Sequence, residues 1–158
     1  ERNGDVVHMT SYAPLLAKEK HTQWSPDLIY FNNREVKPTT GYCVQKLYGQ
    51  NAGSHYIPSQ IILDNQDNRV KLRIGSSIVR DSKTGDVIVK LVNLLPVSVE
   101  TEIQLPGIGS VQPSAVRTVL AGAPESTPLP VTDTIEVGVN FKQQLPAYSF
   151  TVIRLKTK

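Results

Sequence analysis

The sequence contains a single cysteine and no long apolar run. Cys43 has no second cysteine to pair with and no Cys or His at zinc-ligand spacing, which excludes an internal disulfide and gives no sign of a zinc site. No apolar stretch approaches the roughly 20 residues that span a bilayer, and the segment from Glu1 to Asp5 lacks the pattern of a signal peptide. No phosphate loop, dinucleotide fingerprint or metal-binding helix motif is present. We therefore expect no metal, no cofactor and no membrane partner.

An excess of charge of one sign is also missing. Seventeen Lys and Arg stand against fourteen Asp and Glu, which leaves a net charge of +3. A nucleic-acid surface requires clustered basic residues, and here they are scattered, so we expect no nucleic-acid partner. The balance of 39% apolar and 20% charged residues is typical of a globular protein. At 158 residues the chain corresponds to one ordinary domain or to a piece of something larger.

Aromatic residues are scarce beyond Pro58. Seven of the ten aromatics and all three histidines precede it. Aromatic and hydrogen-bonding side chains are the types that bind polar organic ligands such as sugars. We therefore divide the chain into residues 1–56 and 57–158, and we expect any binding chemistry in the first part.

The second part has the pattern of short strands. Apolar residues alternate over 70–74 and 87–91, and the polar residues between them, Lys71, Arg73 and Lys90, are expected to face solvent. Similar runs follow, and turn signals rich in Gly, Pro, Asn and Asp separate them. The pattern predicts an antiparallel β-sandwich. The further runs lie at residues 97–105, 115–120, 135–139 and 148–155.

The first part differs in its pattern. Residues 6–10 form a short apolar run that predicts a buried strand, and residues 28–31 form another. From Thr40 to Gly49, apolar residues recur at i, i+4, which predicts a helix of about three turns with Cys43 as a small core residue. The buried strand at residues 6–10 has no evident partner, so we expect an upstream part of the protein to be missing.

Three side chains of the first part are candidates for binding a ligand. Asp27 follows a proline and lies three residues from Trp24, the only tryptophan. The aspartate can form a turn or hydrogen-bond a substrate, and the indole can anchor the loop, pack in the core or stack on a sugar. Tyr12, beyond the expected first strand, can reach the same site or cap the core.

No catalytic group stands out among the other polar residues. Asp5, His8 and Ser11 have the residue types of a hydrolytic triad, but they lie within seven positions of one another and no nucleophile-elbow glycines surround the serine. Glu19 lies between two lysines, a pattern that is typical of a solvated loop.

Five segments carry a family resemblance. They are DVVHMTSYAPL (5–15), WSPDLIYFN (24–32), YCVQKLY (42–48), VIVKLVN (87–93) and LPAYSFTV (145–152). Together they resemble the C-terminal portion of family 51 glycoside hydrolases, the α-L-arabinofuranosidases. The resemblance runs over essentially the whole chain, and its first three segments are the most specific.

The resemblance implies a mainly β fold that joins two parts. Residues 1–56 correspond to the end of a (β/α)8 barrel, with the last strand at 6–10, its loop at 11–40 and the last helix near 40–49. Residues 57–158 correspond to a jelly-roll type β-sandwich. Because barrel active sites lie at the C-terminal ends of the strands, Tyr12, Trp24 and Asp27 are expected at the catalytic face. Some family members contact the sugar through a glutamine after the tryptophan, and this chain has Ser25-Pro26-Asp27 there.

The resemblance also implies a function for the parent protein. The family removes terminal α-L-arabinofuranosyl residues from arabinan or arabinoxylan by a retaining mechanism, with two catalytic glutamates on earlier barrel strands. Neither glutamate motif occurs in this chain, so we expect no catalytic residue in it. Its expected partners are the missing N-terminal barrel of the same chain and an arabinose-containing polysaccharide or oligosaccharide. A parent of this kind is expected to be secreted or periplasmic.

Two further expectations follow from the sequence. The alternative to an enzyme fragment is an independent carbohydrate-binding or interaction module that uses Trp24 or Tyr148 as a platform. The apolar residues of the first 40 positions, separated from the barrel, are expected to rearrange or to pair between chains, which makes a homo-oligomer an expected state.

Overall fold

The computed structural model describes residues 1–158 as a mainly β protein with antiparallel sheets, as the sequence predicts. It contains eleven strands and two helices. In chain order these are β1 (Leu16–Lys18), β2 (Ile29–Phe31), β3 (Val36–Pro38), α1 (Thr40–Gln50), β4 (His55–Ile57), α2 (Asn68–Lys71), β5 (Ile74–Arg80), β6 (Val87–Asn93), β7 (Val99–Gln104), β8 (Val111–Ala121), β9 (Val131–Glu136), β10 (Asn140–Leu145) and β11 (Ser149–Thr157).

Two antiparallel sheets face each other across an apolar core. The larger sheet has the order β4-β5-β6-β11-β8-β9, and the smaller one pairs β10 with β7. Alternate residues of β6 and β11 point inward, where they pack against residues of β7 and β10 such as Ile103 and Leu145. This packing confirms the predicted antiparallel sandwich. The large sheet begins at His55, so β4 crosses the division at residues 56 and 57, and that division stays a prediction.

Helix α1 covers the outer face of the large sheet. The Thr39 side chain caps the helix by accepting the N–H of Tyr42 at 3.3 Å, which satisfies one of the free N–H groups of the first turn. Cys43 and Leu47 are buried against sheet residues that include Ile88 and Phe150. The helix and the core position of Cys43 are confirmed.

The expected solvent-facing position of Lys90 is wrong. Strand β6 is buried on both of its faces, because the sandwich core lies on one side and α1 on the other, and the side chain of Lys90 is 0% exposed. Alternation of apolar and polar residues indicates solvent only where one face of a sheet is free.

Two of the strands predicted from alternation, at residues 70–74 and 135–139, differ from the observed strands. Residues 70–74 do not form a strand. Asp67 caps a short helix by accepting the N–H of Arg69 at 2.8 Å, and β5 begins only at Ile74. Local capping thus overrides a two-residue alternation. The run at 135–139 spans the end of β9 and the connection to β10.

The predicted strand at residues 6–10 is also wrong in this structure. Residues 8–13 make no backbone hydrogen bond, and Val6 and Met9 are 71% and 88% exposed. A buried parallel strand needs neighbouring strands to accept and donate its hydrogen bonds. No strand of the structure pairs with this run, so its apolar residues remain exposed and outside any strand.

Candidate functional site

A small three-stranded sheet positions the predicted site residues. Strands β1 and β2 run parallel, with Leu16 opposite Ile29, and β3 pairs antiparallel with β2. The N–H of Leu28 donates to the carbonyl oxygen of Pro14 at 3.2 Å, which extends this pairing before the strands begin. Since parallel strands begin at the same edge of a sheet, the loops that precede β1 and β2 lie side by side.

These two loops carry all three predicted site residues. Tyr12 precedes β1, and Trp24 and Asp27 precede β2. Their environments are different: the indole of Trp24 is 69% exposed, Tyr12 is 39% exposed and Asp27 is 1% exposed. The structure therefore buries Asp27 and presents only the two aromatic side chains to solvent.

Asp27 organises the loop that bears Trp24. Its N–H donates to the Tyr30 hydroxyl at 2.9 Å, and its carboxylate accepts the Thr22 hydroxyl at 3.2 Å. The same Thr22 oxygen accepts the N–H of Trp24 at 3.1 Å. These contacts show Asp27 in its turn-forming role. A hydrogen bond between Asp27 and a substrate stays a prediction.

Many large apolar side chains in the first part of the chain are exposed. A folded monomer rarely leaves many large apolar side chains in one region exposed unless they meet a partner. Between residues 6 and 36 the exposed large apolar residues are Val6, Val7, Met9, Tyr12, Leu15, Leu16, Trp24 and Val36. This part of the molecule therefore has the composition of a contact surface.

The charged groups on the small sheet are unsuited to acid catalysis. Lys37 Nζ lies 2.8 Å from the carboxylate of Glu19 and 3.0 Å from that of Glu35. The hydrogen bonds from Lys37, with those from Asn32, hold the pKa of both carboxyl groups below the ordinary value. A glycosidase acid needs a carboxyl with a raised pKa, so neither glutamate has the electrostatics of that role. Glu19 forms a surface ion pair, as the interpretation of a solvated loop predicts.

A groove lies between α1 and the loop at residues 122–128. This groove has a volume of about 480 Å³ and is lined mostly by apolar atoms, among them those of Tyr48, Leu94 and Tyr148. Phe150 forms its floor and stacks on Tyr48, with 4.9 Å between the ring centroids. Phe150 is buried in the core, whereas the half-buried Tyr148 borders the groove.

One polar cluster was not predicted from the sequence. Lys90 on β6, Ser77 on β5 and Glu1 meet on the outer face of the large sheet beside Tyr48. The only sequence signal for it is a lysine within an otherwise apolar strand, and that pattern is equally typical of a solvated strand face.

Comparison with known proteins agrees with the architecture. The family model for the α-L-arabinofuranosidase C-terminal domain matches residues 1–149. The chain belongs to this family. The resemblance that the five sequence segments indicated is confirmed, and the wider group of similar enzymes is the family 51 α-L-arabinofuranosidases.

Curated relatives match the C-terminal-domain chain over part of their length. An extracellular exo-α-L-arabinofuranosidase of Streptomyces chartreusis is 53% identical over 60 residues, which are 38% of this chain and 7% of the relative. A probable α-L-arabinofuranosidase A of Aspergillus terreus is 36% identical over 112 residues, which are 70% of this chain and 17% of the relative. The C-terminal-domain chain thus spans a small part of the enzymes that it matches.

Solved structures show the same fold. An arabinose-bound family 51 α-L-arabinofuranosidase superposes with a TM-score of 0.86 at 33% identity, over 99% of this chain and 25% of the other. The family 51 enzyme of Thermotoga petrophila superposes with a TM-score of 0.68 at 14% identity, over 81% of this chain and 31% of the other, which shows the fold alone. No helix of the C-terminal-domain chain has the length and hydropathy needed to cross a membrane.

Proposed function

We propose that this chain is the C-terminal domain of an enzyme that releases terminal α-L-arabinofuranosyl residues from arabinan or arabinoxylan by a retaining mechanism. The observation that carries the proposal is the family match over residues 1–149, and the relatives named as α-L-arabinofuranosidases support it. The catalytic glutamates belong to another part of that enzyme. Within this chain the sandwich has a structural and accessory role.

The first part of the chain completes the catalytic barrel in this proposal. Residues 6–10 become the last barrel strand when neighbouring strands supply the hydrogen bonds that they lack here, and α1 becomes the last barrel helix. The exposed apolar residues between positions 6 and 36 support such a contact. The partner is the N-terminal barrel, and the sandwich from residue 57 onward is of the jelly-roll type.

Trp24, Tyr12 and Asp27 contribute to sugar binding in this arrangement. The exposed indole of Trp24 provides a flat apolar face of the kind that stacks on a sugar ring, and the Tyr12 side chain is also exposed. Asp27 holds the Trp24 loop through Thr22. The name of the extracellular Streptomyces relative supports secretion of the parent enzyme.

A hydrolysis assay tests whether the catalytic groups lie outside this chain. The chain alone is expected to leave 4-nitrophenyl α-L-arabinofuranoside intact, because it supplies neither a leaving-group acid nor a nucleophile. Turnover that survives purification and disappears in the Glu19→Gln or Glu35→Gln variant would show that the chain carries its own catalytic carboxylates and would refute the proposal.

The second candidate function is an independent carbohydrate-binding module, and the exposed Trp24 is the observation in its favour. Affinity electrophoresis through arabinan separates the two. A module is retarded, Trp24→Ala removes the retardation, and the exposed control Leu129→Ala leaves it unchanged. A chain that needs its barrel to form the sugar site migrates equally with and without arabinan.

A further inference from the structure

Lys90 occupies an unusual position for a charged side chain. It lies in the middle of β6 and is 0% exposed, on the face of the large sheet that α1 covers. An unpaired ammonium group in such a place loses its hydration without compensation, so a buried lysine is paired with an anion in almost every protein that tolerates it. We therefore expect an anion beside Lys90 on the outer face of the sheet.

The anion that Lys90 meets is the carboxylate of Glu1. Lys90 Nζ lies 2.6 Å from Glu1 Oε1, and the hydroxyl of Ser77 donates to Oε2, so both carboxylate oxygens are bound. Ser77 lies directly opposite Lys90 in the β5–β6 register, which fixes the two donors side by side. The ring of Tyr48 on α1 lies 5.5 Å from Nζ and shields the ammonium group on its other side.

Burial and pairing act in opposite directions on Lys90. Desolvation lowers the pKa of its ammonium group, and the hydrogen bond that Lys90 donates to Glu1 opposes this shift only in part. The carboxylate thus favours the charged form of the buried group against desolvation. A groove of about 330 Å³, bordered by Glu1, Ser77 and Tyr56, opens this pocket to solvent on the Glu1 side.

We propose that Lys90, Ser77 and Tyr48 form a carboxylate-binding pocket that fastens the N-terminal segment to the sandwich through Glu1. The segment behind Glu1 folds as a tight turn, in which the N–H of Val7 donates to the carbonyl oxygen of Asn3 at 2.8 Å. The turn leads into the exposed run that precedes β1. The pocket thereby fixes the point at which this run leaves the sandwich. Glu1 is separated from Ser77 by 76 positions and from Lys90 by 89 positions in the sequence.

In the complete enzyme the pocket couples the last barrel segment to the sandwich, and this role rests on the proposed function. The existence of the pocket does not depend on the proposed function, because all of its groups belong to this chain. Turnover by the isolated chain would refute the proposed function and leave the pocket intact. Failure of the acetate experiment below would refute the pocket and leave the hydrolysis result unchanged.

Chemical rescue by acetate tests the pocket. Glu1→Ala removes the tethered carboxylate, so the variant is expected to melt below the wild-type chain, and the amide of Val7 is expected to exchange roughly tenfold faster or more, as for the loss of one charge-assisted hydrogen bond. Sodium acetate is expected to raise the melting temperature of Glu1→Ala, whereas sodium chloride at the same ionic strength is not. The wild-type chain, whose pocket is filled, is expected to respond equally to both salts.

Two variants serve as controls for the location of the effect. Glu35→Ala removes an exposed carboxylate that pairs with Lys37, and this variant is expected to show no specific response to acetate. Ser77→Ala in the Glu1→Ala background removes one of the two donors and is expected to weaken the rescue. Equal melting of Glu1→Ala and wild type, or rescue by chloride as strong as by acetate, would overturn the proposal.

Discussion

Replacement of Leu47 by alanine tests whether α1 is an integral part of the sandwich. Leu47 is 7% exposed and lies in one apolar cluster with Val79, Ile88 and Phe150, which belong to three strands of the large sheet. If this contact stabilises the sheet, removing the side chain destabilises the whole domain. If α1 is only an appendage, the sheet melts as before.

The magnitude follows from burial and from the stiffness of the surroundings. Leu→Ala substitutions in cores cost about 2–5 kcal/mol of unfolding free energy, and the cost is larger where the neighbours cannot move into the cavity. Here the floor of the cavity is the rigid, doubly covered strand β6, while the helix above it can shift. We therefore expect a loss of about 3 kcal/mol, which corresponds to a fall in Tm of roughly 6–12 °C for a domain of this size.

Thermal unfolding followed by far-UV and near-UV circular dichroism measures the effect. The matched control is Lys46→Ala, an exposed position on the same helix, where a change within about 0.5 kcal/mol is expected. A Leu47→Ala chain with the wild-type Tm, or one whose helix signal melts in a separate early transition while the sheet signal stays unchanged, would refute the reasoning.

Two more predictions concern close packing and pH. A Cβ added at Gly53 would lie 2.5 Å from the Cβ of Val79, so Gly53→Ala is expected to lower the unfolding free energy by about 1–3 kcal/mol, whereas Gly49→Ala on α1 meets no atom within 4 Å and is expected to be neutral or stabilising in urea unfolding. The hydrogen bond from Arg117 lowers the pKa of Asp133, so this pair contributes stability above the ordinary aspartate pKa and loses it as pH falls through the lowered value. The Tm difference between wild type and Arg117→Met is therefore expected to shrink between pH 5 and pH 2, and a constant difference would contradict this assignment.

Local patterns predicted the elements in which the apolar residues recur with a clear period. The i, i+4 spacing of α1 and the alternating apolar residues of β6 and β11 indicate the type of each element, because those apolar residues pack in a buried core. The strand at residues 6–10 failed for the opposite reason. An apolar run specifies burial but not the partner strands, and in this structure none lies beside it.

The polar residues show the same limit more sharply. Asp27 was singled out because of its proximity to Trp24, and the structure shows it holding that loop through Thr22. Lys90 was assigned to solvent because nothing local distinguishes a lysine under a helix from a lysine on an open face. Its partners, Glu1 and Ser77, are distant in the sequence, and only the folded sheet brings them together.

The physical core of the molecule crosses the division that composition suggests. Cys43 and Leu47 belong to the first 56 residues, yet they pack in one cluster with Leu120 and Phe150 of the sandwich. Without the first 56 residues, the outer face of the large sheet would lose the cover over those apolar side chains, and Lys90 would lose both Tyr48 and Glu1. A chain cut at residue 57 therefore exposes an apolar face of the sheet and leaves Lys90 without its partner anion, and an exposed apolar face is a costly defect for a small domain. Because α1 supplies this cover, we expect the sandwich and α1 to unfold as one cooperative unit.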